Sequence, residues 1–287
     1  MVGADSIFYG FSEIPTRNTA KSFRRTDGIR SINHHRSGIR RQEDKTMKIV
    51  DKIKEKQSDL YARKPITLAF LGDSVTQGCF DCYEPVPGGM ETDFFPGQAY
   101  CEKVKKILNK LYPSVPIAVI NAGISGGSAR TGLNRLERDV LSYAPDLVVV
   151  CFGLNDSGDG ENGVSGYRSA LDRIFSEINR FGAECIYMTP NTMNYNVSPK
   201  LKVEAFKGFA EDFASRMKNG LLDKYIEAGI SAAKENKVTV CDCYSLWKKL
   251  SDCGVNVTEL LANKLNHPDS DMHYLFAYEL VKTMLTK

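Results

Sequence analysis

Residues Ile66 to Gly78 read ITLAFLGDSVTQG, an apolar, strand-like run that ends abruptly at a small residue, an acid and a serine. In an open α/β sheet, ligands bind in the crevice outside the carboxyl ends of the strands. A hydroxyl group just beyond such a strand therefore stands in that crevice. Ser74 is the first candidate nucleophile of the chain.

Four further apolar runs resemble the first one, being short, rich in branched residues and without polar alternation, as expected for strands buried on both faces. With the first they make five predicted strands: Ile66 to Leu71, Ile117 to Ile120, Leu147 to Phe152, Cys185 to Met188 and Val238 to Cys241. Amphipathic stretches alternate with them near 98–112, 130–142, 165–181, 202–235 and 271–286. This alternation predicts a three-layer α/β/α fold with a flavodoxin-like parallel sheet of about five strands.

The chain of 287 residues carries a formal net charge of +3, and the excess positive charge lies at its beginning. Residues 1–46 hold nine Lys/Arg against five Asp/Glu and show neither helical nor strand periodicity, which predicts a disordered basic arm. The compact domain is predicted to span 47–287. Because the arm has no aromatic interleaving and no recognisable nucleic-acid module, nucleic acid is not an expected partner.

Eight cysteines invite a disulfide or metal interpretation, but Cys151 and Cys185 lie in strand-like runs where a free thiol behaves as a small hydrophobe. The pair Cys241 and Cys243 has the wrong spacing for a zinc knuckle, and the glycines from Gly72 onward lack the ending of a phosphate-binding loop. We expect neither metal nor cofactor. No signal peptide and no membrane-spanning run is recognisable, so a reduced, cytoplasmic setting without a membrane partner is predicted.

Three segments follow three successive predicted strands, and a fourth precedes the last helix: Gly72 to Ser74, Asn121 to Ser128, Gly153 to Asp156, and Asn266 to Pro268. Because the carboxyl ends of parallel strands share one edge of a sheet, these segments can meet. Together they hold what acyl transfer requires: a hydroxyl, an imidazole base, glycine N–H groups and an asparagine amide.

Histidines are few enough to narrow the choice of base. Of the four, His34 and His35 lie in the arm, which leaves His267 and His273. His273 falls inside the last amphipathic stretch and is interpreted as a packing or capping residue. His267 lies in the loop before that stretch and is the better candidate base.

These blocks, in this order, resemble the SGNH hydrolase family, also called GDSL-type esterases and lipases, over roughly residues 64–287. The resemblance implies Ser74 as nucleophile and His267 as general base. It also implies an oxyanion hole formed by the Ser74 N–H, the Gly126 N–H and the Asn155 side chain. Ser128 to Arg130 resembles the sequence that follows this glycine in some pectin-directed carbohydrate esterases of the family.

The chain departs from the family pattern at one position. The family's last block has an aspartate three residues before the histidine, and Lys264 occupies that place here. Either an asparagine or a backbone carbonyl holds the imidazole ring in a Ser–His dyad, or a carboxylate such as Asp269 or Asp271 reaches it. Asp73 and Asp156 are interpreted as structural supports of their turns.

The predicted function is a serine esterase that hydrolyses carboxylic esters through an acyl-enzyme and removes short acyl groups such as acetyl from carbohydrate. The expected partner is thus a small-molecule or oligosaccharide ester. Medium-chain lipids are the alternative substrate, because Phe94 and Phe95 in the long loop from Cys79 to Gly97 offer an apolar lining. Acyl transfer to an alcohol would use the same residues, and a catalytically silent carbohydrate-binding module would retain the fold. The sequence does not indicate the oligomeric state.

Overall fold

The computed structural model describes residues 47–286, so the predicted arm at 1–46 lies outside the described residues. Five of the seven strands in this part of the chain are parallel, while β2 Cys79–Tyr83 and β3 Glu91–Phe94 form a separate hairpin. The parallel strands are β1 Ile66–Gly72, β4 Ile117–Gly123, β5 Leu147–Cys151, β6 Glu184–Met188 and β7 Thr239–Cys241. They form one sheet in the order β4-β1-β5-β6-β7, and every neighbouring pair is parallel. The predicted α/β class with a five-stranded parallel sheet is confirmed.

The strand order places β1 at the point where the direction of winding reverses. If the five strands are numbered one to five along the chain, their spatial order across the sheet is 2-1-3-4-5, which is the flavodoxin-like arrangement. The crevice between the carboxyl ends of β1 and β5 is the ligand-binding position of such sheets. The residues that follow β1 therefore begin at this crevice.

Successive side chains of β1 enter two separate cores on opposite faces of the sheet. Leu68 and Phe70 belong to one core, and Ala69 and Leu71 belong to the other; all four are fully buried. This alternation follows from the two-residue period of a strand. Burial on both faces explains why the run in the sequence is uniformly apolar.

Helices cover both faces. They are α1 Lys48–Ser58, α2 Ser74–Gln77, α3 Tyr100–Leu111, α4 Ala129–Asp139, α5 Val164–Phe181, α6 Lys207–Lys218, α7 Leu221–Glu235, α8 Cys243–Asp252 and α9 His273–Leu285. Side chains of α1, α3, α8 and α9 fill the first core, and those of α4 and α5 fill the second.

The sequence pattern does not predict helices α1 and α8, and two of its stretches fold differently from the prediction. The amphipathic stretch 202–235 is not one helix, because it is interrupted between α6 and α7 at Gly220, whose φ of +73° lies in the left-handed region. The long loop from Cys79 to Gly97 contains an antiparallel hairpin of β2 Cys79–Tyr83 and β3 Glu91–Phe94. The hairpin stands beside the carboxyl edge of the sheet, since β2 follows α2 directly.

The close approach of α2 to β4 gives a test of this packing. A Cβ atom at Gly123, the last residue of β4, would overlap the backbone of Thr76 and Gln77. We expect Gly123→Ala to lower the free energy of unfolding by about 2–3 kcal/mol, as other overpacking substitutions do. Urea unfolding followed by circular dichroism measures the change.

The matched control is Gly208→Ala in α6, where an added Cβ meets nothing within 4 Å. It should leave stability unchanged or raise it by up to about 1 kcal/mol, because alanine is the better helix former. Equal stability of Gly123→Ala and wild type would contradict the packing described for α2.

Candidate active site

The turn after β1 fixes the position of Ser74. Asp73 is the N-cap of α2, and its Oδ1 accepts a hydrogen bond of 3.0 Å from the Val75 N–H. Gly72 permits the turn, because a Cβ atom there would overlap the Thr76 side chain and approach the Cys151 carbonyl oxygen to 2.9 Å. The Ser74 side chain is thus held at the carboxyl end of the central strand.

The structure brings Ser74 and His267 together from positions 193 residues apart. His267 Nε2 lies 2.9 Å from Ser74 Oγ, and His267 Nδ1 lies 3.1 Å from the carbonyl oxygen of Phe80. A carbonyl oxygen can only accept, so Nδ1 carries the proton of the neutral ring. Nε2 is then the acceptor for the Ser74 hydroxyl.

A backbone carbonyl, and not a carboxylate, faces Nδ1 of the His267 ring. Phe80 lies in β2 of the hairpin, so the acceptor for His267 Nδ1 comes from a part of the chain distant from the histidine loop. Lys264 is directed elsewhere: its Nζ donates to the Glu259 carbonyl oxygen at 2.8 Å. Asp269 accepts from the Met272 N–H at the start of α9, and Asp271 is exposed.

Asn263 holds the loop that carries His267. Its Oδ1 accepts three backbone N–H bonds of 3.0 Å each, from Leu265, Asn266 and His267. Its Nδ2 donates to the Asn266 side chain at 3.1 Å. Asn191, which follows β6, donates from Nδ2 to the Asn266 carbonyl oxygen at 2.9 Å. Neither asparagine role is visible in the sequence, because each depends on how the loop folds.

Burial lowers the pKa of His267 from 6.5 to about 4, and the Phe80 carbonyl and the Asp81 carboxylate oppose this effect only in part. The second histidine of the domain, His273, is also buried and its pKa is lowered to about 3. It accepts the Tyr100 N–H at Nδ1 and packs on the Phe80 ring with centroids 5.0 Å apart. Both rings are therefore neutral at physiological pH.

Gly126 and Asn155 line the same cavity as Ser74 and His267. Gly126 has a φ of +72°, and within residues 47–286 its N–H and that of Ser74 have no acceptor. The Gly127 N–H is already bonded to the Ile124 carbonyl at 2.9 Å. Asn155 Nδ2 donates one hydrogen to the Gly127 carbonyl at 2.9 Å, which orients the amide and leaves its second hydrogen available.

Asp156 joins the segment after β5 to the first residue of α4. Its two carboxylate oxygens accept the Ala129 N–H at 2.9 Å and the Gly153 N–H at 3.1 Å. Burial raises the pKa of Asp156 to about 6 and that of Asp73 to about 7. Both carboxyl groups accept backbone N–H groups of the turns that present Ser74 and Asn155.

The cavity has a volume of about 360 Å³. Its wall also includes parts of the hairpin, of the segments after β4 and β5, of the histidine loop and of one face of α6. These residues are Cys82, Met90, Thr92, Ser125, Leu154, Gly158, Phe209, Asp212, Phe213, Arg216, Asn263, Leu265 and Asn266. Phe94 and Phe95 are about half exposed and are not part of this wall.

Other sequence expectations concern metals and membranes. Within the part of the chain that the structure describes, no group of three His, Cys, Asp or Glu side chains is close enough to hold a metal ion. The eight cysteines, all in this part, are free thiols. None of the described helices has the length and apolar character that crossing a membrane requires.

A flavodoxin-like sheet with Ser74 and His267 paired at its carboxyl edge is the architecture of SGNH-type hydrolases. The model of the GDSL-like Lipase/Acylhydrolase family matches residues 70–275, which is more than half of the chain. The chain belongs to this family.

One curated relative and two solved structures are similar to the chain. An acetylxylan esterase of Geobacillus stearothermophilus is 38% identical over 89 residues, which is 31% of this chain and 39% of the esterase. The match thus spans about two fifths of that curated relative. The crystal structure of the acetylxylan esterase Axe2 from Geobacillus stearothermophilus has a TM-score of 0.56 at 23% identity, covering 76% of this chain and 94% of that one.

A two-domain esterase active on acetylated mannans has a TM-score of 0.59 at 19% identity. The similarity covers 82% of this chain and 52% of that esterase. At such identities these structures support the fold.

The bonds of Asn263 predict a large effect of its removal. Asn263→Ala leaves three buried N–H groups without an acceptor, so we expect a loss of about 2–4 kcal/mol in the free energy of unfolding. Asn263→Asp keeps the acceptor oxygen and should recover most of it. Chemical denaturation of both variants tests this.

Asn256→Ala, which removes an exposed asparagine nearby, is the control and should be neutral. If Asn263→Ala is as stable as this control, the histidine loop is not held as described.

Proposed function

We propose that this protein is a serine esterase that hydrolyses carboxylic esters through an acyl-enzyme, with short acyl groups on carbohydrate as its substrates. The single observation that carries the proposal is the 2.9 Å separation of His267 Nε2 and Ser74 Oγ, beside N–H groups of Ser74 and Gly126 that have no acceptor among residues 47–286. A serine hydroxyl is a weak nucleophile until a base takes its proton. His267, neutral and with its Nε2 lone pair toward the hydroxyl, is such a base.

In the proposed reaction Ser74 Oγ forms a bond to the ester carbonyl carbon while its proton passes to His267 Nε2. The carbonyl oxygen becomes an oxyanion held by the N–H groups of Ser74 and Gly126 and by the Asn155 amide. The bond from carbon to the alcohol oxygen then breaks, and the leaving oxygen takes the proton from His267. Water repeats the sequence on the acyl-enzyme, which releases the acid and restores the Ser74 hydroxyl.

The cavity supports a small, polar ester as substrate. Its 360 Å³ lies at the lower end of the range for ligand pockets, and its wall combines carboxylate, guanidinium and amide groups with apolar side chains. A medium-length acyl chain would need an apolar lining, and the Phe94–Phe95 pair lies outside this wall. Two similar proteins, an acetylxylan esterase and an esterase active on acetylated mannans, favour acetyl as the acyl group of the substrate.

The first prediction from the mechanism concerns Ser74 itself. We expect Ser74→Ala to lower kcat for p-nitrophenyl acetate by at least about 1,000-fold, as loss of a nucleophile does elsewhere. His267→Ala should have an effect of similar size, because the two residues act as one unit. Release of p-nitrophenol measures both.

Ser142→Ala, at an exposed serine, is the matched control and should retain full activity. A wild-type protein without esterase activity would favour the silent carbohydrate-binding module. Adding an alcohol acceptor and measuring the new ester against free acetate separates hydrolysis from acyl transfer.

A second prediction concerns the pH dependence. The general base must be neutral, and burial puts the pKa of His267 at about 4. The value of kcat/KM for phenyl acetate should therefore stay constant as the pH falls through 6.5 and decline only as it approaches about 4. Released acetate measures the rate, and circular dichroism at each pH shows whether the chain is still folded.

Folding must be checked at each pH because only the folded protein keeps His267 buried and neutral. Between pH 6.5 and 4 the unfolded chain binds a proton on His267 that the folded chain does not bind. The free energy of unfolding therefore decreases as the pH is lowered through this window. A decline of kcat/KM centred at 6.5 or higher in folded protein would contradict the buried, neutral base.

A further inference from the structure

Four side chains of helix α6 line the active-site cavity but have no part in the proposed mechanism. They are Phe209, Asp212, Phe213 and Arg216. The spacing of three, four and seven residues places them on one face of the helix. We call this face the α6 wall.

The α6 wall is fixed relative to the histidine loop. Asn194 donates from Nδ2 to the Ala210 carbonyl oxygen in α6 at 2.8 Å, and its N–H donates to the Leu265 carbonyl oxygen at 2.8 Å. Ala210 and Leu265 also share a small apolar core with Phe206 and with Cys82 of the hairpin. A group bound on the wall is thus held at a constant distance from His267.

The charged groups of the α6 wall compensate each other. Arg216 pairs with Asp212, donates to Ser157 Oγ at 3.3 Å and lies over the Phe213 ring, 5.2 Å from its centroid. The Arg216 side chain is 17% exposed and that of Asp212 is 49% exposed. The wall therefore offers carboxylate acceptors and guanidinium donors with no net charge, on a pair held in place by its neighbours.

Phe209 adds an aromatic surface next to this pair, with 47% of the residue exposed. A pyranose ring has an apolar C–H face, which suits an aromatic ring, and hydroxyl groups at its edge that both donate and accept. An acyl chain on the wall would instead remove water from Asp212 and Arg216 without replacing their hydrogen bonds. An anionic alcohol would meet a guanidinium whose charge Asp212 already balances.

We propose that the α6 wall is the binding subsite for the sugar of the ester, taking a neutral, hydroxylated ring as the alcohol part of the substrate. The ring stacks on Phe209, and its hydroxyl groups bond to Asp212 and Arg216. This inference rests on the proposed function, since it assigns the leaving alcohol of that reaction to a place in the cavity.

The test compares a sugar ester with an ester that has no sugar. The probes are methyl 2-O-acetyl-β-D-xylopyranoside, whose ring keeps its hydroxyl groups at O3 and O4, and phenyl acetate, and the variants are Phe209→Ala and Asp212→Asn. Each variant should lower the ratio of kcat/KM for the pyranoside to that for phenyl acetate by about tenfold, mainly through a higher KM. Phe181→Ala, a similarly exposed phenylalanine at the end of α5, should leave the ratio unchanged.

The proposal is overturned if both variants are folded and have the wild-type ratio of the two kcat/KM values. This holds whether activity on the two substrates falls equally or does not fall at all. Binding of the same pyranoside to Ser74→Ala, followed by saturation-transfer NMR, gives a readout independent of turnover. Adding Phe209→Ala should weaken this signal, and adding Phe181→Ala should not. If the wild-type protein hydrolyses neither ester, the proposed function is wrong. The binding experiment then still shows whether the α6 wall binds the sugar ring.

Discussion

The two hydrogen bonds of the His267 ring are the interaction on which the site depends. One ring nitrogen faces the Phe80 carbonyl at 3.1 Å and the other faces the Ser74 hydroxyl at 2.9 Å. Because the carbonyl accepts and never donates, it determines which nitrogen carries the proton and leaves Nε2 as an acceptor. The strand that positions Ser74, the hairpin that supplies Phe80 and the asparagine-held loop that carries His267 meet at this one ring.

A carbonyl in place of a carboxylate has an energetic consequence. In the proposed mechanism His267 takes a proton from Ser74; a carboxylate would stabilise the resulting imidazolium, whereas a neutral dipole stabilises it less. Burial also disfavours the charged ring, and it lowers the pKa of His267 from 6.5 to about 4. The arrangement favours the tautomer needed for proton removal but makes the protonated intermediate more costly. In the proposed mechanism the oxyanion donors then account for a larger part of the stabilisation.

Much of this architecture is predictable from the sequence, because buried parallel strands leave a uniformly apolar pattern that ends at small or polar residues. That pattern placed Ser74 at the edge of the sheet, and the small number of histidines narrowed the candidate base to two. The acceptor for His267 was not predictable, since every residue has a carbonyl and only the folded hairpin brings that of Phe80 to the ring. Helices α1 and α8 were not predicted either, and the break between α6 and α7 depends on the single left-handed residue Gly220.

The central claim, that the Phe80 carbonyl holds His267 with its proton on Nδ1, is open to direct measurement. Nitrogen-15 NMR of labelled protein near neutral pH distinguishes a protonated ring nitrogen from one with a free lone pair. The account predicts that His267 is neutral, with the proton on Nδ1 and the lone pair on Nε2. A proton on Nε2, or a doubly protonated ring at that pH, would contradict it.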